Sequence, residues 1–269
     1  MLEIDDFFVN TEISQINLNN VIEKYLYFKN SSIPDNYIKK YFGILLQDYD
    51  NITLFKRKEI VNSPFQEFWT LRLIDIAENN YENLHTRKFS SFEKNDLKDI
   101  VDICFNNDRI IKVKEYLKAK GIYLYFIDFL PGTNIDGAVF LTSRSTIAVG
   151  LTIRYERLDH VWFTLLHELS HIILHYQLLS EGIISIDKSF DKIEVESNRL
   201  AKESIISPEK YRVCLPKKTL KSDDLLKYSK DNNIHPALLA GIIRRDLNCY
   251  YIFNSIISEY IIKRSDLYD

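Results

Sequence analysis

The sequence is poor in cysteine, glycine and proline. It has three cysteines, seven glycines and six prolines in 269 residues, and the cysteines are far apart and never form a Cys-x-x-Cys pair. An odd number of scattered cysteines argues against a disulfide framework and against a zinc site built from thiolates. We therefore expect buried thiols in a reducing compartment, the cytoplasm.

Charge of one sign and long apolar runs are also lacking. The formal net charge is −3, with 27% charged residues, so no overall field favours nucleic acid or an anionic membrane. No apolar run approaches the roughly 18 residues that a membrane helix needs. The first residues are acidic, unlike the basic start of a secretory signal. We expect no direct nucleic-acid binding and no membrane contact.

A hydrophobic content of 46% is enough to build a core. Asn62-Ser63-Pro64 marks a predicted boundary, because the residue before a proline avoids helix and the proline itself can open the next helix. This boundary separates an N-terminal region over residues 1–62, with two or three predicted helices and no legible role, from a domain over residues 63–269 that ends in helices.

The apolar period changes from helical to strand-like after Gly121. Strands are predicted over residues 122–129, 138–142 and 146–152, the last two as a hairpin. Helices are predicted over residues 65–77, 92–105, 160–176, 193–206 and 236–246. Asp159 is the predicted N-cap of the third helix. The pattern indicates an α+β fold, in which a small twisted sheet packs on the helix at 160–176 and other helices surround both.

The motif His167-Glu168-Leu169-Ser170-His171 falls inside that helix. Residues four apart lie on one face, so both imidazoles can reach one zinc ion, and Glu168 lies beside them to take a proton from a metal-bound water. The alternative is a core helix with two hydrogen-bonded histidines and a surface glutamate. Because the motif requires a helix and is found in one, the pattern favours the metal site.

A zinc ion that keeps one position open for water needs a third protein ligand. Glu194 and Asn198 share a face of the predicted helix at 193–206, whereas Glu196 is rotated by about 160° from Glu194. We choose Glu194 as the ligand and keep Glu196 as the alternative. Asn198 is then placed to hydrogen-bond a ligand imidazole.

The remaining histidines and the polar residues before the helix are weaker candidates. His175 is interpreted as a packed or rim residue, because it is turned by about 80° from His167. His160 and His235 are less favoured candidates for stabilising a transition state. Three residues before the helix could form a polar rim or simply lie on the surface: Arg154, Tyr155 and Arg157.

The two motif segments resemble the ImmA/IrrE family of bacterial zinc metallopeptidases. The resemblance is carried by Phe163-Thr-Leu-Leu-His-Glu-Leu-Ser-His171, Glu194-Val-Glu-Ser-Asn-Arg-Leu-Ala201 and Ser207-Pro208, and it extends from about Pro64 to Tyr250. The second segment is also similar to the Glu-x-x-x-Asp motif of gluzincin peptidases, which supports Glu194 over Glu196.

This resemblance implies a zincin-like fold and a zinc-dependent endopeptidase. The implied substrate is a protein, a transcriptional repressor or antitoxin-like regulator in stress, mobile-element or phage-defence control, and a helix-turn-helix regulator encoded nearby is the expected partner. Many relatives carry an N-terminal helix-turn-helix, but residues 1–62 show no persuasive one. The rival hypothesis is a non-catalytic regulatory or toxin–antitoxin binding protein that uses the zinc fold as a scaffold. Glu168 argues against that rival, since a structural metal site needs no general base.

Overall fold

The computed structural model describes residues 64–79, 87–105, 110–127, 129, 135–179, 184–185, 192–262 and 267. The helices predicted within residues 1–62, and the boundary at residue 62, lie outside this part of the chain. The helices are α1 (Pro64–Asn79), α2 (Lys94–Phe105), α3 (Ile110–Lys118), α4 (Leu158–Leu179), α5 (Lys192–Ile205), α6 (Pro208–Arg212), α7 (Pro216–Thr219), α8 (Ser222–Asn232), α9 (Pro236–Asp246) and α10 (Asn254–Glu259). None of these helices is long and apolar enough to cross a bilayer.

In the described part of the chain, four strands form one small sheet: β1 (Ile122–Ile127), β2 (Gly137–Leu141), β3 (Ile147–Thr152) and β4 (Ile184–Ser185). Their order across the sheet is β1-β3-β2-β4. The predicted hairpin is present, since β2 and β3 pair antiparallel. The turn between them contains Ser145 with a φ of 60°, and the Thr142 carbonyl accepts from the Ser145 amide. In contrast, β1 pairs parallel with β3, a pairing that the local strand pattern does not reveal.

Helix α4 is the centre of the domain. It packs against β2, β3, α5 and α9, and its apolar residues Leu165, Leu166 and Leu169 are fully buried. A helix that is apolar on nearly all sides belongs in a core. The α+β fold predicted from the sequence, a small sheet on the helix of the His-Glu-x-x-His motif with other helices around it, is therefore confirmed.

The start of α4 differs from the prediction. The helix begins at Leu158, so Asp159 lies in its first turn instead of at the N-cap. The Asp159 carboxylate accepts a hydrogen bond of 3.0 Å from Nε of Arg157. The Leu158 amide donates to the carbonyl of Tyr260, so the chain before α4 is held by a segment about 100 residues downstream. Such long-range pairing leaves no local signal in the sequence.

Candidate metal centre

Three ligand atoms converge at the contact between α4 and α5. His167 and His171 lie one turn apart on α4, and their Nε2 atoms are 3.1 Å apart. Glu194, in the first turn of α5, places Oε2 at 3.1 Å from Nε2 of His167 and Oε1 at 3.4 Å from Nε2 of His171. All three side chains are buried, and in the described part of the chain no other group of three histidine, cysteine or acidic residues converges in this way.

The spacing of these atoms fits zinc. Ligands at about 2.0–2.1 Å from a tetrahedral ion are about 3.3–3.4 Å from one another. The three measured separations, 3.1, 3.1 and 3.4 Å, are close to that value. Two imidazole nitrogens and one carboxylate also match the ligand set of zinc sites that keep a fourth position for water or substrate. The arrangement can therefore hold a zinc ion and leave one coordination position open.

The electrostatics of the cluster keep an imidazole available to a metal. Burial lowers the pKa of His171 to about 2, and the neighbouring His167 and His175 lower it further in the same direction. An imidazole that stays neutral retains a lone pair, and the neutral form is the one that binds metals. At neutral pH, therefore, the contact between His171 and Glu194 is not an ion pair between charged groups.

Glu168 lies fully buried next to the cluster. Its exposed fraction is 0%, and among the described residues neither carboxylate oxygen has a hydrogen-bond partner. Burial raises the pKa of Glu168 well above its usual range, and the carboxylates of Glu194 and Asp136 raise it further. A buried carboxylate without partners is costly to a fold. Carboxylates with pKa values raised in this way are found most often at functional sites.

The start of β2 forms one wall around Glu168. A methyl group at Gly137 would lie 3.0 Å from both Cγ and Oε1 of Glu168. β2 also pairs with β3 through Gly137 itself, opposite Leu151, so the backbone has little room to retreat. β2 is thus a strand that borders the site, and its glycine allows the strand to lie against the Glu168 carboxylate. Sequence reasoning assigned no role to this glycine.

The hydrogen-bond partner of the ligand imidazole differs from the prediction. Oγ of Ser197 lies 3.1 Å from Nδ1 of His171, whereas within the described residues no hydrogen bond joins Asn198 to either ligand imidazole. Viewed down the axis of α5, residue 197 is rotated by about 60° from Glu194 in one direction and residue 198 by about 40° in the other. The tilt of α5 against α4 decides between them, and the sequence does not contain that tilt.

The other candidate residues have contacts of their own. Glu196 does not reach the Nε2 cluster; its Oε2 lies 3.2 Å from Nε2 of His175. His160 lies 3.6 Å from Oδ1 of Asp136, and its ring centroid is 5.2 Å from that of Tyr155. The remaining candidates make contacts outside the cluster of Nε2 atoms. Nδ1 of His235 accepts a hydrogen bond from the Ala237 amide. The Arg154 guanidinium lies over the rings of Phe129 and Tyr155, and Arg157 donates a hydrogen bond to Asp159.

Residues 118–229 match the family of the IrrE N-terminal-like domain, peptidase family M78. This segment, less than half of the chain, is similar to an IrrE N-terminal-like domain. The match runs from the end of α3 into α8 and includes all of the converging residues, so it supports the membership of the ImmA/IrrE family that the two motif segments predict. No curated protein matches the chain.

Proposed function

We propose that this protein is a zinc-dependent endopeptidase whose metal is held by His167, His171 and Glu194, with Glu168 as the general base. One observation carries the proposal. Three ligand atoms stand at the spacing of a tetrahedral zinc site, beside a fully buried carboxylate that has no partner among the described residues. A purely structural zinc site is closed by four protein ligands and needs no such neighbour.

Zinc bound in this cluster would supply Lewis acidity to the scissile carbonyl and lower the pKa of a bound water. Glu168 accepts the proton of the attacking water and later donates it to the departing amine nitrogen. Its raised pKa suits both steps, because a carboxylate that is desolvated is a stronger base and its acid form persists nearer to neutral pH. His171, held neutral by burial, and Glu194 stay committed to the metal.

The proposed substrate is a protein regulator, a transcriptional repressor or antitoxin-like protein with a helix-turn-helix that is encoded nearby. This class and its setting, stress, mobile-element or phage-defence control, come only from the resemblance of the two motif segments to the ImmA/IrrE family. The cytoplasm is the proposed compartment, since Cys104, Cys214 and Cys249 are free thiols. A net charge of −3 gives no reason to expect direct nucleic-acid binding.

Co-expression with each neighbouring gene product tests this function. Wild-type protein should produce a discrete fragment of one neighbour. Glu168→Gln should bind zinc as before, but its cleavage rate should fall by a factor of about 100 or more. Glu203→Gln is a matched control, because Glu203 lies on α5 and pairs with Arg199 instead of the metal cluster. This control should cleave like the wild type.

Two results would contradict the proposal. One is the absence of a fragment from every neighbour under all activating conditions. The other is full biological activity of Glu168→Gln, since the proposed mechanism requires a large loss of rate without the general base. Either result would favour the rival hypothesis, a regulatory binding protein that keeps the zinc fold as a scaffold.

A further inference from the structure

A buried histidine and a glutamate stand behind His171, on the side opposite Glu194. Nδ1 of His175 is 3.3 Å from Nδ1 of His171, and Nε2 of His175 is 3.2 Å from Oε2 of Glu196. His175 is buried, whereas the Glu196 side chain is half exposed. The three side chains form a continuous line from the solvent-facing side of α5 to the ligand imidazole. His175 and Glu196 have no role in the proposed mechanism.

The backbone of α4 departs from helical geometry at His175. Its φ and ψ are −131° and 26°, although the helix continues to Leu179. In an undistorted helix, residue 175 would be rotated by about 40° from residue 171. With the kink, the two rings lie with their centroids 5.4 Å apart and present their Nδ1 atoms to each other. The kink is thus found at the residue that joins α4 to Glu196.

The positions of the hydrogen atoms follow from these contacts. When Nε2 of His171 faces a metal, its Nδ1 carries the ring hydrogen and must donate it. A carboxylate is only an acceptor, so Nε2 of His175 donates to Glu196. Nδ1 of His175 is then unprotonated and can accept from His171. Each ring nitrogen in the line has one role, and the roles are mutually consistent.

We propose that His175 and Glu196 are positioning residues of the metal centre. Glu196 fixes the tautomer of His175, and His175 accepts the Nδ1 hydrogen of His171, so that Nε2 of His171 points at the metal and becomes a better electron donor. Carboxylate and imidazole partners behind a ligand imidazole fix its orientation and strengthen metal binding in this way. The inference rests on the metal site that the proposed function requires.

Ser197 is the competing partner. Its Oγ is 3.1 Å from Nδ1 of His171, slightly closer than Nδ1 of His175. A serine hydroxyl alone would orient the ligand imidazole without any contribution from Glu196. The line through His175 differs in that it ends on a charged group, so the effect of changing Glu196 distinguishes the two possibilities.

Zinc affinity measured by competition with a chromophoric chelator tests the inference on the full-length protein. His175→Phe replaces the imidazole with an aromatic ring that has no nitrogen atoms, and it should weaken zinc binding by roughly 10- to 100-fold. Glu196→Gln should weaken it less, because the amide still accepts a hydrogen bond but carries no charge. The double variant should be no weaker than His175→Phe, since Glu196 acts through His175. Glu203→Gln is the control and should bind like the wild type.

Two further measurements separate positioning from folding. The melting temperature of each metal-free variant reports any loss of packing, and the visible spectrum of bound Co²⁺ should change in His175→Phe. His175→Asn should recover part of the lost affinity, because its side-chain oxygen can occupy the place of Nδ1 and accept from His171.

Three outcomes would overturn the inference. If His175→Phe binds zinc as tightly as the wild type, Ser197 alone orients His171 and the metal site itself stands. If the losses from His175→Phe and Glu196→Gln are additive, Glu196 does not act through His175. If the wild type binds no zinc, the inference falls together with the proposed function.

Discussion

A methyl group at position 137 is a direct test of how the fold holds the general base. In Gly137→Ala the new carbon would lie 3.0 Å from Cγ and Oε1 of Glu168 and from Cδ2 of Leu151. Non-bonded carbon atoms prefer separations of about 3.5–4.0 Å, so the neighbouring atoms must give way by a few tenths of an ångström. Glu168 is fully buried and Leu151 belongs to the central strand β3, so Glu168 or β2 must shift.

The expected cost follows from that displacement. Overpacking a well-filled interior destabilises a protein by about 1–3 kcal/mol, and moving a catalytic group by about 1 Å can slow a reaction by about 10²-fold. Since the required shift is smaller than 1 Å, we expect Gly137→Ala to lower the cleavage rate of the partner regulator by roughly 10-fold per zinc-bound molecule. Zinc affinity should change little, since the methyl group meets none of the proposed ligands.

Gly150→Ala is the matched control for this experiment. A methyl group there would lie 2.5 Å from Cδ2 of Leu73. This variant therefore creates a steric clash in the sheet with a side chain that is not part of the site. Denaturant unfolding should show a loss of stability in both variants, with slowed cleavage in Gly137→Ala alone. Full activity of Gly137→Ala would refute the claim that β2 holds Glu168 in place. An equal loss of activity in both variants would mean that general destabilisation is the cause.

Three other predictions concern the metal and a buried histidine. Glu194→Ala should lose far more zinc affinity than Glu196→Ala in the chelator competition, and the reverse ranking would make Glu196 the ligand. Chelating zinc should lower the melting temperature of the wild type, because free zinc at 100 times the Kd of the site stabilises the folded state by about 2.7 kcal/mol. An unchanged melting temperature would contradict this prediction. Burial lowers the pKa of His235 to about 4. Below about pH 6.5 the unfolded chain therefore binds more protons at His235 than the folded chain does. The contribution of His235 to the free energy of unfolding is fully present above that pH, and it is lost as the pH falls towards 4, by up to about 3 kcal/mol. His235→Asn should flatten the dependence of the free energy of unfolding on pH over this range, and a curve as steep as that of the wild type would contradict the assignment.

Local patterns in the sequence predict those features that depend on neighbours along the chain. The His-Glu-x-x-His motif needs only a helix, and the hairpin of β2 and β3 needs only two alternating runs and a short turn. Both can be recognised from the order of the residues alone. The likeness of the two motif segments to a peptidase family is equally local, and the family match confirms it.

Features that depend on how elements pack against each other are absent from such patterns. Whether Ser197 or Asn198 contacts His171 depends on the tilt of α5. The sequence of α4 contains no proline or glycine that would predict the kink at His175. The parallel pairing of β1 with β3 and the hydrogen bond from Leu158 to Tyr260 are long-range contacts. Gly137 could have been noticed as a glycine beside a predicted strand, but only the sheet places it against Glu168.

The central claim is that His167, His171 and Glu194 hold one zinc ion. Elemental analysis of gently purified protein after titration with zinc tests it most directly, with His167→Ala combined with His171→Ala as the comparison. We expect about one zinc per wild-type chain, as for a mononuclear site with three protein ligands, and a near-total loss in the double variant. Near-zero metal in the wild type, or undiminished zinc in the double variant, would contradict the account.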